Sequence, residues 1–244
     1  MNLLKKFFNS SNKSRLIRTA VKIACKEVAS NLSAKPNLPS GKTAIPLTVK
    51  SQVFPLPVVI CGALVDDRPN FNTLGNFGLI DPTRPNPVIY VSSFKKHYTN
   101  IGIRRNSYFS VNIPSRNIMA RTDYLGVVSG HTTDKSKVMT VFFGREKSAP
   151  CLKECPLNYV CKVIHHIEVK DKDLFIGEVV ESFVSSEFLT EKGIDIERIE
   201  PLLFTADGYY RVPSEPVGKA FRIFKEYSER GQKPGQTTEG TVSH

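Results

Sequence analysis

Beyond residue 46, apolar residues alternate with polar ones or form short runs bounded by Pro, Gly, Asn and Asp. That spacing predicts strands at 58–65, 88–93, 108–113, 138–143, 161–169, 174–183 and 202–205. The intervals do not make a regular βαβ repeat, so the expected fold class is mainly β, a largely antiparallel barrel with inserted helices. Short helices are expected at 97–105 and 118–124. A further segment, 216–230, sets Val217, Ala220, Phe221, Phe224 and Tyr227 at helical spacing among charges. No internal repeat is evident.

The two ends read differently. Residues 14–30 place Ile17, Val21, Ala24 and Val28 on one helical face, with Ser14 available as an N-cap and Lys or Arg opposite. This basic amphipathic helix fits an organellar transit peptide, a membrane-surface helix, or an extra helix packed on the domain or on a partner subunit. Residues 36–46, rich in Pro, Ser, Gly and Lys, read as a linker, and 231–244, rich in Gly, Thr and Gln, as a disordered tail. The expected organisation is 1–46 helix and linker, 47–230 globular domain, 231–244 tail.

Composition narrows the class. A chain of 244 residues with 40% hydrophobic content can bury one large core. No apolar run approaches the roughly 20 residues that cross a bilayer, so the expectation is a soluble, cytoplasmic protein without a transmembrane segment. Residues 1–50 hold ten Lys or Arg against the single acid Glu27, about +9 of the net +11. The remainder is nearly neutral, which argues against nucleic acid as a partner of the domain. The five cysteines, Cys25, Cys61, Cys151, Cys155 and Cys161, lack C-x-x-C spacing and read as ordinary buried thiols, with a redox or cluster role as the lesser reading.

There is no G-x-G-x-x-G after a strand, no Walker lysine motif and no G-x-S-x-G elbow. His165 and His166 sit in an alternating strand, one expected inward and one outward, and read as structural. Three segments carry more chemistry. Residues 68–78 offer amides and small residues after an apolar strand, a composition that suits the edge of a flat heteroaromatic ring and also suits plain turns. Residues 92–100 bring hydroxyls and lysines to a strand end entering a helix, which suits a phosphate as well as a solvated turn. Residues 129–135 are a hydroxyl-rich loop with Lys135, open to the same two readings.

In order, these segments resemble one family. Phe54-Pro-Leu-Pro-Val-Val-Ile60, Asn70-Phe-Asn-Thr-Leu-Gly75, Pro85-Asn-Pro-Val-Ile-Tyr-Val-Ser-Ser93, Phe109-Ser-Val-Asn-Ile-Pro114 and Asp123-Tyr-Leu-Gly126 leading to Ser129-Gly130 and Asp134-Lys135 are similar to successive signatures of the flavin reductase-like, FMN-binding split-barrel proteins, flavoredoxin-like branch. The resemblance runs over roughly residues 50–226. It implies a split β-barrel, to which the amino-terminal helix read from spacing is an addition, a homodimer, FMN as cofactor and NADH or NADPH as co-substrate. The implied activity is hydride transfer from reduced nicotinamide to the flavin, with electrons leaving to flavin, another small molecule or a protein partner; a flavoredoxin-like carrier without nicotinamide turnover is the alternative. By position, the resemblance lays Asn70, Thr73, Leu74, Gly75 and Asn76 along the ring. It sets Ser92, Ser93, Lys95, Lys96 and His97 at the ribityl phosphate, with Ser129, Gly130, Asp134 and Lys135 closing the pocket. Two departures stand out: Asn76 replaces an aromatic frequent in that branch, and Lys95-Lys96-His97 replaces an Arg and Thr pattern. No catalytic acid or nucleophile is implied.

Overall fold

The computed structural model describes residues 55–83, 85–205 and 208–212, all within the unit Val53–His244. The segments expected at 14–30, 36–46, 216–230 and 231–244, and Cys25, lie outside them. In chain order the strands are β1 (Leu56–Pro57), β2 (Val59–Val65), β3 (Arg68–Leu74), β4 (Phe77–Asp81), β5 (Val88–Phe94), β6 (Tyr108–Ile113) and β7 (Val141–Phe142). They continue as β8 (Cys151–Leu152), β9 (Leu157–Val169), β10 (Lys172–Val184), β11 (Leu189–Thr190), β12 (Gly193–Ile194), β13 (Leu202–Thr205) and β14 (Gly208–Arg211). Helix α1 (Tyr98–Asn106) joins β5 to β6, α2 (Met119–Val127) follows β6, and the single turn α3 (Ile196–Ile199) precedes β13.

Seven strands form one antiparallel sheet in the order β3-β2-β6-β9-β10-β5-β4. Its edges, β3 and β4, are neighbours in the chain, separated only by Gly75 and Asn76. That link reaches at most about 11 Å, whereas a flat sheet of this width would hold its edges about 29 Å apart. The sheet therefore curls until the edges meet, giving a split barrel. The Ser92 N–H donates to the Asn76 carbonyl at 2.9 Å and fastens the link to β5. A smaller sheet, β1-β13-β14, is tied to the barrel where the Val58 N–H meets the Leu202 carbonyl.

Strand β2 is apolar on both faces because both are covered. Val59, Cys61 and Ala63 join Phe109, Val111, Phe175 and Val179 in the barrel interior, while Ile60 packs with Phe71, Leu125 and Leu152. The distinctive Phe-x-Val-Asn-Ile-Pro run serves this architecture. Asn112, fully buried, donates to the Ile60 carbonyl (2.9 Å), and its oxygen accepts from the Leu152 N–H (2.9 Å) and the Asn158 amide (2.8 Å). Each buried polar atom in this cross-link has a partner, which keeps it from being a liability.

A second network ties α1 to the opposite wall. Asp173 on β10 is 1% exposed and accepts from Asn100 (2.7 Å), from Arg104 and from His166 (2.8 Å). Burial alone would raise its pKa, but the His166 and Asn100 hydrogen bonds and the Arg104 charge outweigh it and hold the carboxyl below its usual range.

The expected strands at 108–113 and 202–205 are observed with those bounds, and those at 58–65, 88–93 and 174–183 shift by one or two residues at their ends. The strand expected at 161–169 begins earlier, at Leu157, since β6 pairs with it from there. The strand expected at 138–143 shrinks to β7, because a 3₁₀ turn at Lys135–Lys137 takes up the preceding backbone. The segment 68–78, whose amides and glycines suited a ring edge or plain turns, is mostly strand, β3 over Arg68–Leu74 and the start of β4 at Phe77. Both are edges, where Pro69 costs the ladder little. His165 and His166 divide between the two faces as expected: the His166 side chain, 29% exposed, turns to the buried Asp173 and stacks on Phe175 at 4.7 Å, while His165, paired with Ile176, takes the opposite face and is exposed.

Two stability effects are expected. Replacing Asp173 by Ala strands the partly buried Arg104 and Asn100 donors and should lower the unfolding free energy by about 3 kcal/mol, read from urea denaturation of the full chain. A Cβ on Gly102 of α1 would stand 2.1 Å from the Leu64 carbonyl oxygen, so Gly102→Ala should cost about 2 kcal/mol as the helix is pushed off β2, visible as a lower thermal midpoint.

Candidate functional site

Where β3, the start of α1 and the loop after α2 converge, they enclose a cavity of about 430 Å³. Strand β3 supplies Asn70 and Asn72, and the β5–α1 junction supplies Lys96, His97, Tyr98 and Thr99. The end of α2 and its loop supply Gly126 to His131, and Lys135 completes the wall. The inward polar residues of β3 hold the helix start in place: the Asn70 amide donates to Thr99 Oγ1 at 2.6 Å, and the Asn72 amide nitrogen lies 2.7 Å from His97 Nδ1. Helix α1 thus presents its first turn to the cavity, and first-turn N–H groups have no acceptor within their own helix.

Gly130 is needed here for space. A Cβ at this position would fall 2.4 Å from Asn70 Oδ1 and 2.9 Å from the Tyr98 ring, so only glycine lets the loop close on β3 and α1. His131 packs against Tyr98, ring centroids 4.7 Å apart, and its Nε2 lies 3.3 Å from the Lys96 carbonyl oxygen.

The electrostatics lean to one sign. Lys135 is 4% exposed and its ammonium donates to the Leu125 carbonyl at 2.7 Å. It has no carboxylate partner among the described residues, because the neighbouring Asp134 carboxylate is taken up by Ser136 and by Lys137. Burial pushes Lys135 down to about 8. His97 is pushed down to about 4, first by burial and then by the Lys172, Lys135 and Lys96 charges, so it is a neutral imidazole at pH 7.

A second recess of about 260 Å³ shares Gly126 and Val127 with the first. Val58, Leu74, Val127, Phe204 and Tyr209 make most of its wall apolar, with Thr73, Gly75 and Asp123 beside them. The Thr73 hydroxyl donates to the Thr122 carbonyl at 2.5 Å, and the Tyr209 hydroxyl to Asp123 at 2.8 Å. Burial, with the Asp123 bond and charge, pushes Tyr209 up to about 12. A cationic chamber adjoins an apolar one, a layout that suits a ligand with a flat ring at one end and an anion at the other.

Of the residues singled out from sequence, Asn70, Lys96, His97, Ser129, Gly130 and Lys135 line the cationic chamber and Thr73, Leu74 and Gly75 the apolar one. Asp134 stands in a shallow flank of the cationic chamber with Arg68, Thr132 and Thr133. Four lie elsewhere. Asn76 is in the barrel-closing link and Ser92 beside it on β5, Ser93 is buried and donates to Asn100, and Lys95 turns outward to pair with Glu168. Asn72, Tyr98, Thr99 and His131 fall inside the three segments singled out from sequence, and Asp123 in a quoted motif, without having been named as site residues, and Tyr209 lies outside all of them. Tyr98 and Thr99 follow from the same helix-start logic that picked out Lys96 and His97; the others depend on long-range packing.

Cys61, Cys151, Cys155 and Cys161 are free and buried. Desolvation pushes all four well above the ordinary thiol range, the state of inert core thiols. Among the described residues no group of three or more His, Cys, Asp or Glu could hold a metal ion, and no helix is long and apolar enough to cross a membrane.

The fold recurs in solved structures. Flavoredoxin from Methanosarcina acetivorans is 35% identical with a TM-score of 0.72, over 76% of this chain and 99% of that one. Flavoredoxin of Desulfovibrio vulgaris (Miyazaki F) is 32% identical with a TM-score of 0.67, over 73% and 98%. An FMN-binding protein from Thermus thermophilus, solved with bound p-hydroxybenzaldehyde, shares the fold at 22% identity and a TM-score of 0.60, over 75% and 100%. A curated protein of Archaeoglobus fulgidus is 28% identical over 85 residues, 34% of this chain, and the match spans about half the length of that relative, 48%. The model of the flavin reductase like domain matches residues 51–213, and the chain belongs to that family.

Proposed function

We propose that the domain binds FMN across the two adjoining chambers and acts as an FMN-dependent oxidoreductase. The observation that carries this reading is Lys135, a buried ammonium without a carboxylate partner in the wall of a cavity that also receives the first turn of α1. Such a charge calls for an anion, and a phosphate monoester satisfies both it and the helix start. Lys96 adds a second cation and neutral His97 keeps the chamber from excess positive charge. Thr73, Leu74, Gly75 and Val127 then border the ring and exclude water from it. Bound FMN would supply the redox chemistry, taking hydride from NADH or NADPH and releasing electrons to flavin or another acceptor. The protein's own part is to bind, orient and desolvate.

A second reading, an electron carrier reduced by a protein donor, is favoured by the likeness to two flavoredoxins. Adding NADH or NADPH anaerobically to the FMN-loaded chain separates the two: bleaching of the flavin bands supports the reductase, and a spectrum that stays oxidised supports the carrier. We also take the protein to be a homodimer, a reading supported by apolar side chains left at the surface, Leu79 at 59% and Ile80 at 51% exposure. Light scattering on the purified chain tests it.

The phosphate assignment has its own test. Lys135→Met should weaken FMN retention roughly 10- to 100-fold, the loss expected for one charge-assisted hydrogen bond, and should leave riboflavin binding nearly unchanged. Lys95→Ala should not alter FMN retention, since Lys95 faces Glu168 outside the cavity. Equal losses in both variants, read by equilibrium dialysis, would count against the site as drawn.

A further inference from the structure

We propose that anion capture in the cationic chamber is coupled to proton uptake by Lys135, so that retention of a phosphate-bearing cofactor is governed by pH. The inference rests on the flavin reading above and concerns the regulation of that same site. Its basis is geometric. Lys135 lies under the surface at 4% exposure, and its one direct polar partner among the described residues is the Leu125 carbonyl at 2.7 Å. A carbonyl solvates an ammonium less well than water does, so the empty chamber shifts the balance toward the neutral amine relative to water.

The charged and titratable neighbours do not relieve this. On its own turn Asp134 accepts from Ser136 at 2.6 Å and pairs with Lys137 at 3.7 Å. From the β5–α1 junction come Lys96, a cation, and His97; from the loop after α2 comes His131; and from β3 comes Arg68 on the chamber's flank. Asp123 on α2 faces Tyr209 in the other chamber. The fixed charges in the wall of the chamber itself, Lys96 and Lys135, are therefore both positive, Asp134 and Arg68 standing together on its flank, and a dianion entering the chamber is the first anion in it to favour the protonated lysine.

The sign follows directly. Lys135 in the empty site is held down at about 8, and the anion raises it, so the protonated form binds better. Affinity is full below the free-site value and falls as pH rises through it, until the bound-site value is reached. His97, at about 4, does not titrate in this window. The phosphate monoester, with its second pKa near ~6, is already a dianion there.

The experiment is FMN affinity of the full chain from pH 6.5 to 9.5 by flavin fluorescence, with riboflavin in parallel and circular dichroism to verify folding. FMN affinity should be level to about pH 8 and then drop toward tenfold per pH unit, while riboflavin affinity stays level. Lys135→Arg should bind FMN with a flat profile, because a guanidinium remains charged. Lys172→Gln should keep the sloping profile, which separates Lys135 from the other lysine that burial holds below its ordinary range. Calorimetry of the unmodified chain in buffers of different ionisation enthalpy gives a second readout: a fraction of a proton taken up per FMN, larger at pH 9 than at pH 7. A flat FMN profile, an equal slope with riboflavin, or no proton uptake overturns the inference alone. Failure of FMN to bind at pH 7 overturns the flavin reading and this inference with it.

Discussion

The short link between β3 and β4 is the constraint from which the rest of the structure follows. Two residues, Gly75 and Asn76, join strands at opposite ends of a seven-strand order. No flat arrangement satisfies that connection, so closure is written into the topology and not left to side-chain packing. Closure also decides where the site can be. Inside the barrel, Phe109, Val111, Phe175 and their neighbours fill the space, so a ligand has to be held at its margin, where Asn70 and Asn72 of β3 meet whatever is packed there. What is packed there is α1 and α2, each delivered by a connection that leaves the sheet and returns.

The polar residues divide according to this geometry. Asn112 and Asn158 are sealed in and cross-link β2, β6, β8 and β9. Asp173 pins the middle of α1 from the far wall, so the helix start at His97 is fixed at one end by β3 and at the other by β10. Positioning of that start depends on hydrogen bonds buried away from water, which are the ones least easily exchanged for solvent. A cavity that binds through a helix terminus needs this rigidity, because the dipole effect is lost within about one turn.

The barrel was largely legible in sequence because its interior strands alternate or run apolar, and that signal survives without context. The edge strands were not, because β3 reads Arg-Pro-Asn-Phe-Asn-Thr-Leu and owes its extended form to pairing with β2, a tertiary contact. The same tertiary dependence limits the site. Lys96 and Lys135 were found because a lysine beside a helix start or in a hydroxyl-rich loop is suggestive by itself. Lys95 has the same local surroundings as Lys96 and points the other way, toward Glu168, since adjacent residues at a strand end face opposite sides. Ser93 was drawn in by its hydroxyl, which the fold spends on Asn100. Asn72, His131 and Tyr209 were missed because each acquires its role from a partner at least 25 residues away or in another element.

The distribution of charge is the last step. Elsewhere in the domain several arginines are matched with acids: Arg104 with Asp173, Arg145 with Glu181, Arg211 with Glu200. Lys135 differs from them in being buried with only a carbonyl as partner, and it lies where the wall is otherwise neutral or positive. A fold selected for stability alone would place an acid beside it or an apolar residue in its stead, since an uncompensated buried charge is costly. The adjoining chamber shows the opposite economy, with its one carboxylate, Asp123, capped by a tyrosine hydroxyl and the remaining surface mostly apolar. The stability forgone at Lys135 is recoverable only when an anion arrives, which makes the unmatched charge a feature of binding and places it where the helix start can share the load.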